Sequence, residues 1–230
     1  MKKILAIILA ALMLLTFVAC DSANEETTTE EITTVAPETN APTAETEGTD
    51  AAVAENAEAL INATLEPFFA TIAPLYGDEE HTPTADELKG YFMGGYYSED
   101  ESTVCQGAAK TVLFDNEMGM GVLMSNTLIS AENMEKIDDA ALFCGMNANN
   151  FTTFAYHVKN AADVEAMASA FEEAVTNNMW FCGFPEIYYA IQVGDYIIAG
   201  FGLEGQIQPM KDAIMATYTN ASLICEGVIL

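Results

Sequence analysis

Gly200-Phe-Gly202-Leu-Glu-Gly205 is the pattern in this chain with the most chemistry to offer. Glycines at this spacing between a strand and a helix bring backbone amides against a pyrophosphate, and Glu226, twenty-one residues past Gly205, has the place of an acid that holds a ribose hydroxyl. Pro209 weighs against that reading. Its ring clashes with the carbonyl four residues back and it has no amide hydrogen, so the helix is expected to start near residue 208, withdrawn from the glycines. Four residues follow Glu226 in the sequence, too few for the remaining strands of a doubly wound sheet. The glycines read better as a strand-to-helix loop, and no cofactor is expected.

Cys182 with His157 would make a thiol nucleophile and its base. Strand alternation puts His157 on the face away from the core, and nothing in the spacing brings Cys182 to it, so a surface histidine and a buried cysteine are expected. The acidic groups Asp78-Glu79-Glu80-His81, Glu99-Asp100-Glu101 and Asp138-Asp139 could offer oxygens to calcium. None has the loop spacing that six to eight ligands require, so no metal site is expected and solvated loops explain them. The run Tyr91-Phe92-Met93-Gly94-Gly95-Tyr96-Tyr97 could line a glycan or peptide surface, with half of it in the core.

Charge narrows the partners. Thirty-five acidic residues face seven lysines and no arginine, a net charge of −28. Nucleic acid is excluded, because phosphate neutralisation needs clustered Lys and Arg. Anionic head groups are repelled as well, which leaves cations, cationic partners or a merely solubilising surface. Past Cys20, the four cysteines Cys105, Cys144, Cys182 and Cys225 permit two disulfides in any of three pairings. Their apolar neighbours suit small buried hydrophobes equally well.

The first residues give an address. Lys2 and Lys3 precede an apolar run from Ile4 to Leu15, too short for a comfortable membrane span, and then Phe17-Val-Ala-Cys20. These four residues resemble the lipobox of bacterial lipoproteins. The resemblance implies a signal peptide over 1–19 and a diacylated Cys20, anchored on the outer face of the cytoplasmic membrane. Residues 20–56 are rich in Thr, Glu, Ala and Pro, a composition that cannot bury enough apolar surface to order itself. They are expected to form a disordered tether, about 35 Å across as a coil and about 120 Å when stretched.

Residues 57–230 have the composition of one globular domain. Leu60, Ile61, Leu65, Phe68, Phe69 and Ile72 predict a helix kinked at Pro67; Thr84 predicts the cap of a second helix that ends at Gly94-Gly95. Residues 108–124 read as a hairpin turning at Asp115-Asn116, and Ser130 to Ile137 as a short capped helix. Residues 140–146 are apolar throughout and do not distinguish helix from strand. The last third is clearer. A half-buried strand over 151–158 and an amphipathic helix over 161–175 precede strands joined by the Gly194-Asp195 turn, then a helix from Pro209 and a final strand from Ser222. The expected fold is α+β, a largely antiparallel sheet with helices packed on one face and a C-terminal β-α-β-β-α-β unit.

Residues 151–218, with Ala162-Asp163-Val164-Glu165, Met179-Trp180-Phe181-Cys182 and Val193-Gly194-Asp195-Tyr196-Ile197-Ile198, resemble an uncharacterised family of clostridial-type lipoproteins, a domain of unknown function. That resemblance supports the address and the order of elements and implies no chemistry. The functional expectation is a lipid-anchored extracytoplasmic binding or interaction module for an envelope protein, peptide or glycan, without catalytic residues. The alternative is a cell-envelope hydrolase.

Overall fold

The computed structural model describes residues 56–94 and 105–229. The expected signal peptide, Cys20, the tether up to residue 55, Gly95-Tyr96-Tyr97 and Glu99-Asp100-Glu101 lie outside them. Seven helices and eight strands follow in the order α1 (Ala57–Asn62), α2 (Leu65–Ile72), α3 (Ala85–Leu88), β1 (Phe92–Gly94), β2 (Cys105–Gln106), β3 (Lys110–Thr111), α4 (Glu117–Thr127), α5 (Ala131–Met134), β4 (Ile137–Gly145), β5 (Phe151–Val158), α6 (Val164–Asn177), β6 (Ile187–Val193), β7 (Tyr196–Gly202), α7 (Glu204–Thr217) and β8 (Ser222–Val228). The sheet runs β2-β1-β4-β5-β7-β6-β8, with β3 also paired to β4, and its pairings are antiparallel. The α+β fold with an antiparallel sheet is as the sequence predicts.

The helices, however, cover both faces of the sheet and not one. From β5 the chain crosses over β7 through α6 to reach β6, and from β7 it crosses over β6 through α7 to reach β8. Both crossovers move in the same direction across the sheet but start from antiparallel strands, so crossovers of one hand place α6 and α7 on opposite sides. Ala141, Phe143, Ala155, Tyr189, Ile191 and Ile198 therefore pack under α1, α2 and α7. Ala140, Leu142, Phe154, Tyr156, Ala190 and Ala199 pack under α4 and α6. β5, expected to be half-buried, is buried on both faces except at His157.

Local chemistry explains where other expectations fail. The stretch read as a hairpin contains α4: Asn116 Oδ1 accepts from the amides of Met118 and Gly119 and caps a helix where a turn was expected. Only Lys110–Thr111 of that stretch is a strand. Thr84 caps α3 as the sequence suggests, and Glu87 returns the cap to the Thr84 amide, but α3 stops at Leu88, and Phe92 and Met93 pair with Gly145 and Cys144. The first helix breaks at Ala63–Thr64, before Pro67, because proline is tolerated in the first turn of α2. Ser130 caps α5, yet Ile137 already belongs to β4. Residues 140–146 fall in β4 up to Gly145. The Gly194-Asp195 turn closes Val193 on Tyr196, and Gly194 alone in it has a positive φ, +60°, which a side chain would disfavour.

Candidate functional site

The glycine motif sits against an antiparallel sheet, and α7 begins at Glu204 with Pro209 inside it. That corrects the expected start near residue 208. Pro209 forfeits one bond, to the Gly205 carbonyl, while Ile207, Met210, Ala213 and Ile214 bury the helix face and hold it. The N-terminus is already engaged: Glu186 Oε2 accepts from the Glu204 amide at 2.8 Å, where a pyrophosphate would have to bind. Gly202 serves packing, since a Cβ on it would lie 2.2 Å from the Asn150 carbonyl oxygen. Glu226 pairs with Lys211 at 2.5 Å.

Cys182 and His157 stand at opposite ends of the sheet. The Cys182 carbonyl accepts from the Asn147 amide group, near the start of β5, whereas His157 lies six residues along that strand, about 20 Å away. Cys182 is also exposed, with φ +59°, and not buried as expected. His157 Nδ1 lies 2.5 Å from Asp138 Oδ1 and its ring is tilted against Tyr196. Asp78 and Asp139 are used locally. Asp78 Oδ1 accepts from the amides of Glu80 and His81, which hold its carboxyl below the usual range, and Asp139 Oδ2 accepts from the Ala57 amide. Of the aromatic run, Phe92 is core and Tyr91 is half exposed. All four described cysteines are free thiols, and burial pushes Cys144 up to about 12 and Cys225 up to about 11, which makes both unreactive.

What the structure does assemble is a cleft of about 90 Å³ on the α4–α6 side of the sheet. Phe154 and Tyr156 of β5 and Ile197 and Ala199 of β7 make its floor. One wall is α6, which presents Met167, Ala170, Phe171 and Ala174; the alanines four residues apart are too short to reach across. The opposite wall is the end of α4 and the turn after it, from Thr127 to Ser130, with Asn133. Leu128 ends α4 at φ +60°, an uncommon conformation for leucine, with its amide donating to the Met124 carbonyl at 3.0 Å. This reversal brings Leu128 and Ile129 to the cleft.

Polar groups within the floor satisfy one another. Tyr156 donates its hydroxyl to Thr127 Oγ1, which donates to the Leu123 carbonyl at 2.7 Å. Burial pushes the Tyr156 phenol far above its ordinary range, so it stays neutral. The interior thus offers apolar contact and no open hydrogen-bonding demand. Sequence reading passed over these residues: Tyr156 carried only a strand assignment, and Thr127 lay past a misread hairpin. The repeated alanines of α6 were the one available signal, but a thin helix face serves close packing as readily as a ligand.

No helix among the described residues is long and apolar enough to cross a membrane. No family model, curated protein or solved structure matches the chain.

Proposed function

We propose that the protein is a lipid-anchored extracytoplasmic binding module whose ligand occupies the cleft between α4 and α6. The observation that carries the binding role is that cleft: an apolar space walled by two helices, with its internal polar groups already matched. Binding is favoured by burial of a complementary apolar group, and no covalent step is needed. The lipobox-like Phe17-Val-Ala-Cys20 supports the address, since two acyl chains on Cys20 would suffice for stable anchoring, and residues 20–56 would carry the domain away from the bilayer.

Two experiments test the two halves of this reading. Small apolar compounds should raise the unfolding temperature of the full chain, and a panel with no effect would remove the binding role. Cys20→Ser should move the protein from the membrane to the soluble fraction. Unchanged fractionation would remove the anchor.

A cell-envelope hydrolase is the second reading, and the His157–Asp138 contact favours it, because a carboxylate that orients an imidazole is half of a general-base arrangement. A base in that position needs a nucleophile or an oriented water. Hydrolysis of envelope esters or peptides by the full chain, lost in His157→Ala, would establish it over the binding module.

A further inference from the structure

The mouth of the cleft differs chemically from its interior. Ser130 and Asn133 lie there, and Lys136 reaches Asn133 from the next turn, its Nζ donating to Asn133 Oδ1 at 2.9 Å. Ammonium has donors only, so the Asn133 carbonyl oxygen must face Lys136 and its amide NH2 is left to donate elsewhere. Ser130 Oγ accepts from the Asn133 amide at 3.2 Å, which leaves the hydroxyl hydrogen to donate. Lys136 retains two further hydrogens. The spare hydrogen-bonding capacity of all three groups includes donors, and it gathers beside an apolar slot.

Lys136 shares with Lys159, among the described lysines, the lack of a carboxylate partner. Lys89, Lys110 and Lys211 are each paired with a carboxylate, and Lys159 bonds the Glu135 carbonyl. Among the described residues Lys136 has no ion pair, although Glu132 and Glu135 are its neighbours in sequence. In a protein with five acids for each lysine, a cation left without a carboxylate beside an apolar cleft is complementary to an anion that brings its own apolar tail.

We infer that the ligand is a short aliphatic monocarboxylate, its chain between Ala170, Ala174 and Phe154 and its carboxylate at the mouth on Lys136, Asn133 and Ser130. This inference rests on the binding role proposed above for the same cleft. Size sets the chain length. An engineered apolar cavity of about 150 Å³ holds benzene, so a space of about 90 Å³ takes a chain of a few carbons and not a long acyl tail. A ligand of so few atoms binds weakly, with Kd on the order of 0.1–1 mM.

The test is calorimetric titration of the full chain with acetate, butanoate, hexanoate and dodecanoate, with butan-1-ol as the uncharged control. Butanoate is expected to bind about tenfold more tightly than butanol and acetate, a difference of about 1.4 kcal/mol. Lys136→Gln should remove about tenfold from butanoate affinity and leave butanol unchanged, and Lys136→Arg should restore most of it. Ala174→Leu should abolish binding of both, with its unfolding transition confirming a folded chain. If butanol and butanoate bind equally, both sensitive to Ala174→Leu and neither to Lys136→Gln, the carboxylate inference fails while the binding role stands. If no chain binds, both fail.

Discussion

The two faces of the sheet are built from the same strands and to different ends. Under α1, α2 and α7, Phe68, Phe69, Phe92, Phe143 and Phe151 form one ring cluster with neighbouring centroids 5.2–6.4 Å apart, each ring at most 2% exposed. The buried hydroxyl of Tyr189 meets Thr153 at 2.7 Å and that of Tyr218 donates to the Leu60 carbonyl at 2.8 Å, so the core of this side is filled and matched, while shallower grooves remain on its outside at α7–β8 and at α1–α2. Under α4 and α6 the Tyr156 and Thr127 hydroxyls are matched too, whereas Trp180 Nε1, against Phe201, is buried without a partner, and alanines and a helix end with a left-handed leucine leave the cleft. The second face gives up some packing at the cleft, and an unfilled apolar space persists only where neighbouring elements are held by other contacts.

The largest expected effect lies on the filled face. Phe143→Ala should cost about 3–5 kcal/mol in a denaturant melt, because the five-ring cluster cannot collapse around the void. A cost below about 1 kcal/mol would mean that this face is loosely packed and the contrast is wrong. Enlarging an alanine should separate the faces next: Ala155→Leu, under α1, should cost about 1–3 kcal/mol by overpacking, whereas Ala170→Leu, at the cleft, should be neutral or stabilising. Equal costs would show that the cleft is no more accommodating than the core.

Both faces depend on register, since a slip of one residue exchanges them. Gly194→Val should cost about 1–3 kcal/mol by forcing a β-branched residue to φ +60°. Asp195→Asn should cost little, and similar losses from both would deny the turn. Smaller still is Gly121→Ala in α4, where a Cβ would meet nothing within 4 Å: a gain of about 0.5–1 kcal/mol is expected from helix propensity alone. Destabilisation by that change would show that α4 needs the glycine to cover the cleft.

The smallest effect is a pH dependence on the filled side. Burial alone would raise the Glu58 carboxyl, but the Thr111 amide and hydroxyl and the Lys110 ammonium outweigh it and hold it below its ordinary value. A depressed folded-state pKa contributes stability above the unfolded value near 4.3, and that contribution is lost as pH falls through the folded value. For so exposed a group it should amount to roughly a few tenths of a kcal/mol. Glu58→Gln should flatten the difference between melts at pH 6 and pH 3; an unaltered pH profile would remove Glu58 from the linkage.

Much of the molecule follows from local pattern. The alternation of Ile187, Tyr189, Ile191 and Val193, the glycine at 194 and the stripe of Val164, Met167, Ala168, Phe171 and Val175 are consequences of two periods and one turn, and their elements stand where those periods place them. Capping was legible at Thr84 and Ser130, where the side chain satisfies amides within three residues, but ambiguous at Asn116, because one asparagine serves a turn or a helix start equally. Pro209 misled because its cost is one local hydrogen bond, which burial of four neighbouring side chains overrides.

The sequence by itself determined the antiparallel α+β character, the acidity and the order of the C-terminal elements, because these depend on neighbours in the chain. Only the tertiary structure decided which side of the sheet each helix covers, and therefore that Thr153 and Ala155 are core and not surface. It also decided that Tyr156, Thr127, Asn133, Ala170 and Ala174 share one cleft, with Lys136 bonded to Asn133. The physical reason is that strand order and crossover direction are long-range properties. A strand buried on one face and a strand buried on both differ by the helix that returns to cover the second, and no local period records where that helix lands.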